Sequence, residues 1–232
     1  MKYITQNIEI DLDLDNQVFK PSPHGAKFLG DAIEISKDET VLDIGCGSGI
    51  LAILSAKKGA KVFATDVLHE AVELTKKNAI KNEVEIDVRQ GNLGEPFNDK
   101  KFDVIIANVP QEILSPKLLE KYDTQIIKGM HGGAGGNEIL MSVLGSTQKI
   151  MHENTRLYIV VYSMSNARES LKYISKNFIA RLISFETSPV KDYVYEDREW
   201  YEEDSNKGEI SIYKVGDLYY ADVYVFELRL KS

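Results

Sequence analysis

The 232-residue sequence is short of several things, and each shortage closes off a class of protein. One cysteine cannot form an internal disulfide, so a cross-linked secreted scaffold is not expected and a reducing cytoplasm is. No window approaches eighteen uncharged apolar residues, which leaves no transmembrane helix to expect. The opening MKYITQNIEIDLDLD turns acidic within nine positions and lacks the apolar stretch of a secretory signal. Basic residues are also in deficit: 28 Lys and Arg against 36 Asp and Glu give a net charge of −8, with no basic run. Nucleic acid is therefore not an expected partner. There is no internal repeat and no Pro- or Ser-rich linker, and 43% hydrophobic with 28% charged residues is ordinary globular composition. One domain is expected over 1–232, with an N-terminal extension (1–25), a core (26–188) and a final connection and strand (189–232).

What is present is mostly periodicity. Ile4, Ile8, Ile10, Leu12 and Leu14 alternate with polar residues, as in a half-exposed strand or hairpin, until Pro21 and Pro23 break it. From Thr40 a strand–helix rhythm begins. Strands are predicted at Val41–Ile44, Lys61–Thr65, Val84–Val88, Phe102–Ala107, Arg156–Tyr162, Ile179–Glu186 and Tyr219–Leu230. Helices are predicted at Gly49–Lys58, Leu68–Ile80, Asn137–His152 and Ala167–Asn177. Alternating strands and helices imply an α/β, doubly wound, mostly parallel sheet covered on both faces. The last two strands have no good helix between them, so they are expected as an antiparallel hairpin at one edge. The long connection between them, Pro189–Ile212, is aromatic and acidic. Tyr193, Tyr195, Trp200 and Tyr201 read either as a substrate lid, slightly the better reading, or as the packed underside of the connection.

The most informative run is VLDIGCGSGI at Val41–Ile50, where a strand ends, glycines fall at 45, 47 and 49, and a helix starts. Glycine lets the backbone turn tightly and approach a ligand closely. A dinucleotide fingerprint would place glycine at position 50, which is Ile50 here, so a nicotinamide cofactor is disfavoured. The second strand ends at Asp66, 21 residues after Gly45. A carboxylate there suits the two ribose hydroxyls of an adenine nucleoside.

With its register of strand, glycines, helix, strand and acid, VLDIGCGSGILAILSAKKGAKVFATD resembles the class I S-adenosylmethionine-dependent methyltransferases. Ala71–Asn82, AVELTKKNAIKN, resembles the branch that modifies protein glutamine or lysine side chains. The resemblance runs from about Phe19 to about Ser184. It implies a seven-stranded sheet whose last strand is inserted antiparallel, and S-adenosyl-L-methionine as cofactor. By similarity Asp43, Gly45, Gly47 and Gly49 line its methionine and ribose part, and Asp66 holds the ribose. Cys46 and Val67 adjoin these positions, with Cys46 read as a packing residue rather than a nucleophile. Asn92 is either an adenine contact or a turn residue between Gly91 and Gly94.

The fourth predicted strand ends in Asn108-Val109-Pro110-Gln111, similar to the N-P-P-Y element of amino-group methyltransferases. Methyl transfer from a sulfonium is an in-line displacement, so the nucleophile must be aimed. The Asn108 side-chain oxygen and the Val109 carbonyl would accept N–H bonds from a nitrogen gaining charge, and Pro110 would stiffen the turn. Val109 and Gln111 depart from the pattern, so a small-molecule sulfur or oxygen acceptor stays open. A non-catalytic adenosine-cofactor binder is the reading of another class. Phe19, His24, Gln111 and Trp200 are the candidate acceptor contacts. His24 would serve as base for an oxygen acceptor, or be a surface residue. His131 opens HGGAGG, which resembles a structural helix-opening segment. Asp11, Asp13 and Asp15 lack the glycine and glutamate of a calcium loop, and no metal is required. The oligomeric state is left open.

Overall fold

The structure, a computed structural model, describes residues 1–122 and 124–231. The alternating N-terminus resolves as a hairpin, with β1 (Lys2–Thr5) antiparallel to β2 (Ile8–Asp11). Gln6 and Asn7 at the turn both take positive φ, 49° and 63°, which matches the right-handed twist of a tight hairpin. Ile10 and Leu12 point into the core, while Asp11 and Asp13 face out and pair with Lys81 and Lys77. Those two ammonium groups, Lys77 first, hold the Asp13 carboxyl down at about 2. After α1 (Phe28–Ala32) the chain enters the main sheet.

That sheet is built from β3 (Thr40–Ile44), α2 (Ile50–Lys57), β4 (Lys61–Asp66), α3 (His69–Lys81), β5 (Ile86–Gln90) and β6 (Phe102–Ala107). It continues through α4 (Pro116–Lys121), α5 (Thr124–Met130), α6 (Glu138–Thr147), β7 (Met151–Tyr162), α7 (Ala167–Asn177) and β8 (Phe178–Pro189). Next come α8 (Asp192–Glu196), α9 (Arg198–Lys207), β9 (Tyr213–Val215) and β10 (Leu218–Leu230). Strand order is β5-β4-β3-β6-β7-β10-β8, with β9 on the end of β10. The first five strands are parallel, and β10 runs antiparallel between β7 and β8. The doubly wound sheet and its inserted last strand are thus as expected.

Both faces are buried, which is why the central strands read as unbroken apolar runs. Val41, Val104 and Ile106 join Ile50, Leu51, Ile53 and Leu54 of α2 on one face. Leu42, Ile44, Ile105 and Ala107 join Leu140, Val143 and Leu144 of α6 on the other. A third core gathers α4, α8, α9 and the start of β10 around Leu118, Tyr193, Tyr201 and Tyr219.

Two expectations need correcting. The strand before the last connection does not lead into a helix-free stretch, because α8 and α9 lie in it. Their apolar positions are few and set among carboxylates, so no helical stripe is visible in the sequence. The helix predicted to His152 ends at Thr147, and β7 starts at Met151, which pairs with Phe102 before a register shift lets Arg156 face Val104.

Candidate functional site

The glycine loop follows β3 and is fastened on both sides. Gly45 and Cys46 N–H groups donate to the Thr65 carbonyl at the end of β4, at 2.8 and 3.0 Å. The Gly47 N–H donates to Asp66 Oδ2 at 2.9 Å. From α3, Thr75 Oγ1 donates to the Gly47 carbonyl at 3.0 Å and Asn78 Nδ2 to the Ser48 carbonyl at 2.9 Å. Gly45, Gly47 and Gly49 all take positive φ. A Cβ at Gly49 would stand 2.9 Å from the Thr75 side chain, whereas one at Gly47 would meet nothing within 4 Å. The loop therefore packs its last glycine against α3 and turns an earlier one toward open space.

Two carboxylates sit beneath this loop. Asp43 is 1% exposed, and its Oδ2 is buried without a hydrogen-bond partner. Burial pushes its carboxyl up to about 7, the Ala52 N–H at the start of α2 works against that, and the Asp66 charge adds to it. Asp66 accepts from Gly47 N–H and, through Oδ1, from Leu68 N–H at 3.0 Å. Burial raises its carboxyl as well, against those two N–H groups and that of Val67. A carboxylate accepts about four hydrogen bonds, so Asp66 keeps capacity for a ribose hydroxyl. The open face at Gly47 and the spare capacity of Asp66 fit an adenosyl cofactor. Cys46 packs in the first core, and burial drives its thiol well above its ordinary value.

A cavity opens in front of the loop. Asp43, Gly45, Cys46, Asn108, Val109, Pro110 and Gln111 line it together with Phe19 and His24. The loop and the end of β6 are close: a Cβ on Gly45 would be 3.4 Å from Val109 Cγ1, and one on Gly25 would be 3.6 Å from Asn108 Nδ2. His24 Nδ1 pairs with Glu186 Oε1 at 2.9 Å, so the exposed ring is tethered to β8 at the cavity mouth.

Gln111 lines the cavity but its amide clamps a neighbouring strand. It is 5% exposed, its Nε2 donates to the Val160 carbonyl at 2.8 Å, and its Oε1 accepts from Tyr162 N–H at 3.4 Å. Trp200 does not line the cavity. It packs edge-on against Tyr201, with ring centres 4.9 Å apart, in the third core. Tyr193 and Tyr201 are buried there too, so these positions pack as the underside of the connection, while Pro189 and Lys191 reach the cavity. Val67 and Asn92 are exposed and lie off the cavity wall. Gly47, Gly49 and Asp66 are not among the residues lining the cavity. The sequence reading missed Thr75, Asn78, Glu112, Glu186 and Lys191. Thr75 and Asn78 lie inside the resembling α3 segment, so a signal for them existed. Glu112 directly follows the Asn108–Gln111 motif, whereas Glu186 and Lys191 come from distant segments and had no signal.

Among the described residues, no group of three or more His, Cys, Asp and Glu is gathered as a metal site, and no helix is long and apolar enough to cross a membrane. The family described as ribosomal protein L11 methyltransferase matches residues 29–136. The putative protein N5-glutamine methyltransferase MJ0928 of Methanocaldococcus jannaschii is 32% identical over 163 residues, 70% of this chain and 81% of that one. The ribosomal protein L11 methyltransferase of Thermosipho africanus is 41% identical over 112 residues, 45% of this chain. The chain spans 42% of the length of that L11 enzyme. Among solved structures, the 16S rRNA N2 G1207 methyltransferase of T. thermophilus, in complex with AdoMet and guanosine, superposes with a TM-score of 0.63 at 16% identity. It covers 100% of this chain and 50% of its own.

Proposed function

This chain belongs to the S-adenosylmethionine-dependent methyltransferases in the family of these protein-modifying relatives, and from that premise we propose that its acceptor is a nitrogen of a protein side chain. When bound, the cofactor supplies a methyl group on a positively charged sulfur, open to in-line attack. The glycine loop and Asp66 would hold it, with Asp43 and Cys46 closing the wall below. The Asn108 side-chain oxygen and the Val109 carbonyl accept N–H bonds from the incoming nitrogen, which aims its lone pair and favours the charge it gains. Pro110 fixes φ just after them, so the two acceptors keep their spacing.

The observation that carries this reading is the placing of Asn108-Val109-Pro110. It follows β6, lines the cavity, and lies beside the glycine loop, where a Cβ on Gly45 would be 3.4 Å from Val109 Cγ1. A protein-side-chain acceptor is supported by what the relatives are named for. The net charge of −8 argues against a nucleic-acid acceptor, and the single buried Cys46 suits the cytoplasm.

Calorimetry with S-adenosylhomocysteine tests the cofactor half. The native chain binds, and Asp66→Ala weakens binding about tenfold or more, near 1.4 kcal/mol. The acceptor half is tested by transfer of a labelled methyl group into a cell extract. Label is expected in protein, and Asn108→Ala is expected to cut transfer roughly 10²-fold while S-adenosylhomocysteine still binds. Label confined to small molecules would defeat the protein-acceptor reading. Native transfer that survives Asn108→Ala would defeat the role of Asn108.

A further inference from the structure

Methylating a nitrogen leaves a proton to be removed, and the groups that aim the nitrogen cannot keep it. The Asn108 oxygen and the Val109 carbonyl accept N–H bonds, but amide oxygens are too weakly basic to hold the proton. Most titratable side chains on the cavity are already committed. Burial raises the Cys46 thiol and the Tyr162 hydroxyl, so both stay protonated. Asp43 is 1% exposed beneath the glycine loop, on the cofactor side. Glu112 is ion-paired with Lys191.

His24 is placed differently. Its ring lines the cavity while half of it faces solvent. Ser22 Oγ accepts from the His24 N–H at 3.2 Å, which fixes the backbone from which the ring leaves. One residue on, Gly25 lies against the acceptor-aiming group, since a Cβ there would be 3.6 Å from Asn108 Nδ2. Glu186 Oε1 stands 2.9 Å from His24 Nδ1. An ionised carboxylate only accepts, so Nδ1 carries the hydrogen and Nε2 keeps its lone pair. The pair is not needed to tether this segment. Val18 and Ala26 anchor it in two cores, and Tyr3 Oη donates to the Pro21 carbonyl at 3.2 Å.

Resting on the reading of this cavity as the site of nitrogen methylation, we propose that His24 is a further catalytic residue, the base that takes the departing proton, and that Glu186 is its positioning residue. The nitrogen lone pair forms the new N–C bond as the methyl–sulfur bond breaks, and the electron pair of that bond stays on sulfur. The nitrogen becomes acidic as it gains charge, and one N–H proton passes to His24 Nε2. Glu186 favours the imidazolium so formed, and the exposed ring gives the proton to water once the product has left.

The test follows initial rates of labelled methyl transfer into cell-extract protein against pH. The other charged groups on the cavity are Lys20, Asp43, Glu112 and Lys191, Lys27 nearby is paired with Asp31, and the Asp43 carboxyl itself lies at about 7. The native profile is therefore read against His24→Ala, which keeps them all. His24→Ala is expected to lose one ascending limb and about 10²-fold in rate, while S-adenosylhomocysteine binds within about twofold of native. Added imidazole should restore part of that rate, and none in Asn108→Ala. Glu186→Gln keeps an acceptor for Nδ1–H but removes the charge, so the limb should move to lower pH and the rate fall about tenfold. The proposal is overturned if His24→Ala keeps the native rate and profile, if imidazole restores nothing, or if Glu186→Gln leaves the limb in place. Loss of S-adenosylhomocysteine affinity in His24→Ala would also overturn it, by making the ring a structural contact. A native chain that binds S-adenosylhomocysteine but transfers no methyl group would instead remove the reading of the cavity, and the proposal with it.

Discussion

The two walls of the cavity are built in opposite ways. The cofactor wall comes from one continuous stretch, β3 through α3, and its backbone is cross-bonded throughout the glycine loop by Thr65, Asp66, Thr75 and Asn78. The acceptor wall is assembled from separate segments around Phe19, Asn108, Met130, Tyr162 and Lys191. Of its lining residues Glu112 keeps a buried carboxylate oxygen without a hydrogen-bond partner, as Asp43 does on the other wall. A wall that meets one invariant ligand can be finished within itself. A wall that meets a substrate keeps open hydrogen-bonding capacity, at a cost in stability, for that substrate to fill.

Asp43 is the exception on the finished side, and it carries the largest expected effect. Its folded-state carboxyl lies at about 7, against the ordinary 3.8. The folded chain therefore holds a proton that the unfolded chain releases, and stability falls as pH rises from about 4 to about 7. Three pH units correspond to roughly 4 kcal/mol, an upper figure for a group of this burial. Denaturant unfolding at pH 5 and pH 8 spans about two of those units and should show a loss of roughly 2.6 kcal/mol in the native chain, and Asp43→Asn should remove most of it. An equal loss in both chains would mean that Asp43 is not the uncompensated charge of the cofactor wall.

Gly49 and Gly47 break the comparison at a finer scale. Gly49 takes φ 85°, and a Cβ there would meet the Thr75 side chain at 2.9 Å and its Cα at 3.3 Å. Left-handed backbone and overpacking against α3 together make Gly49→Ala destabilising by about 2–3 kcal/mol. Gly47 takes φ 55° with open space ahead, so Gly47→Ala should cost only about 1 kcal/mol in stability. Its main effect should fall on S-adenosylhomocysteine affinity, because the methyl group projects where the ligand approaches. Thermal unfolding paired with calorimetry separates the two. Equal stability losses would mean that α3 yields to Gly49→Ala and does not clamp the loop.

The same contrast explains what could be read from the sequence. Phe102–Ala107 and Ala167–Asn177 match their observed elements end to end, because each carries its own pattern, an apolar run or a helical stripe. The glycine loop and Asp66 lie within a short span and advertise themselves by spacing. Glu112 and Lys191 are 79 positions apart and meet only because β10 inserts beside β7 and carries β8 and its connection to the cavity mouth. Glu112 directly follows the Asn108–Gln111 motif, but nothing local ties it to Lys191, and no spacing rule reaches that far. Gln111 shows the reverse failure: it sits beside a recognisable motif, yet its amide is spent on the backbone of β7.

The aromatic connection supplies the smallest expected effect and a sharp limit on the acceptor wall. If its role is packing, only residues up to Lys191 touch the acceptor, and everything beyond serves the third core. Trp200 is the residue that separates the two roles, because it is half-buried and its ring meets Tyr201 edge-on at 4.9 Å. Trp200→Phe keeps an aromatic edge and removes one ring, so stability should drop by about 1 kcal/mol. Methyl transfer and S-adenosylhomocysteine affinity should stay within about twofold of native, a change worth under 0.5 kcal/mol. A lid would behave differently, since removing part of a closing surface alters kcat and KM together. Such a paired kinetic change in Trp200→Phe, at unchanged melting temperature, would extend the acceptor wall to α9 and return the connection to a gating role.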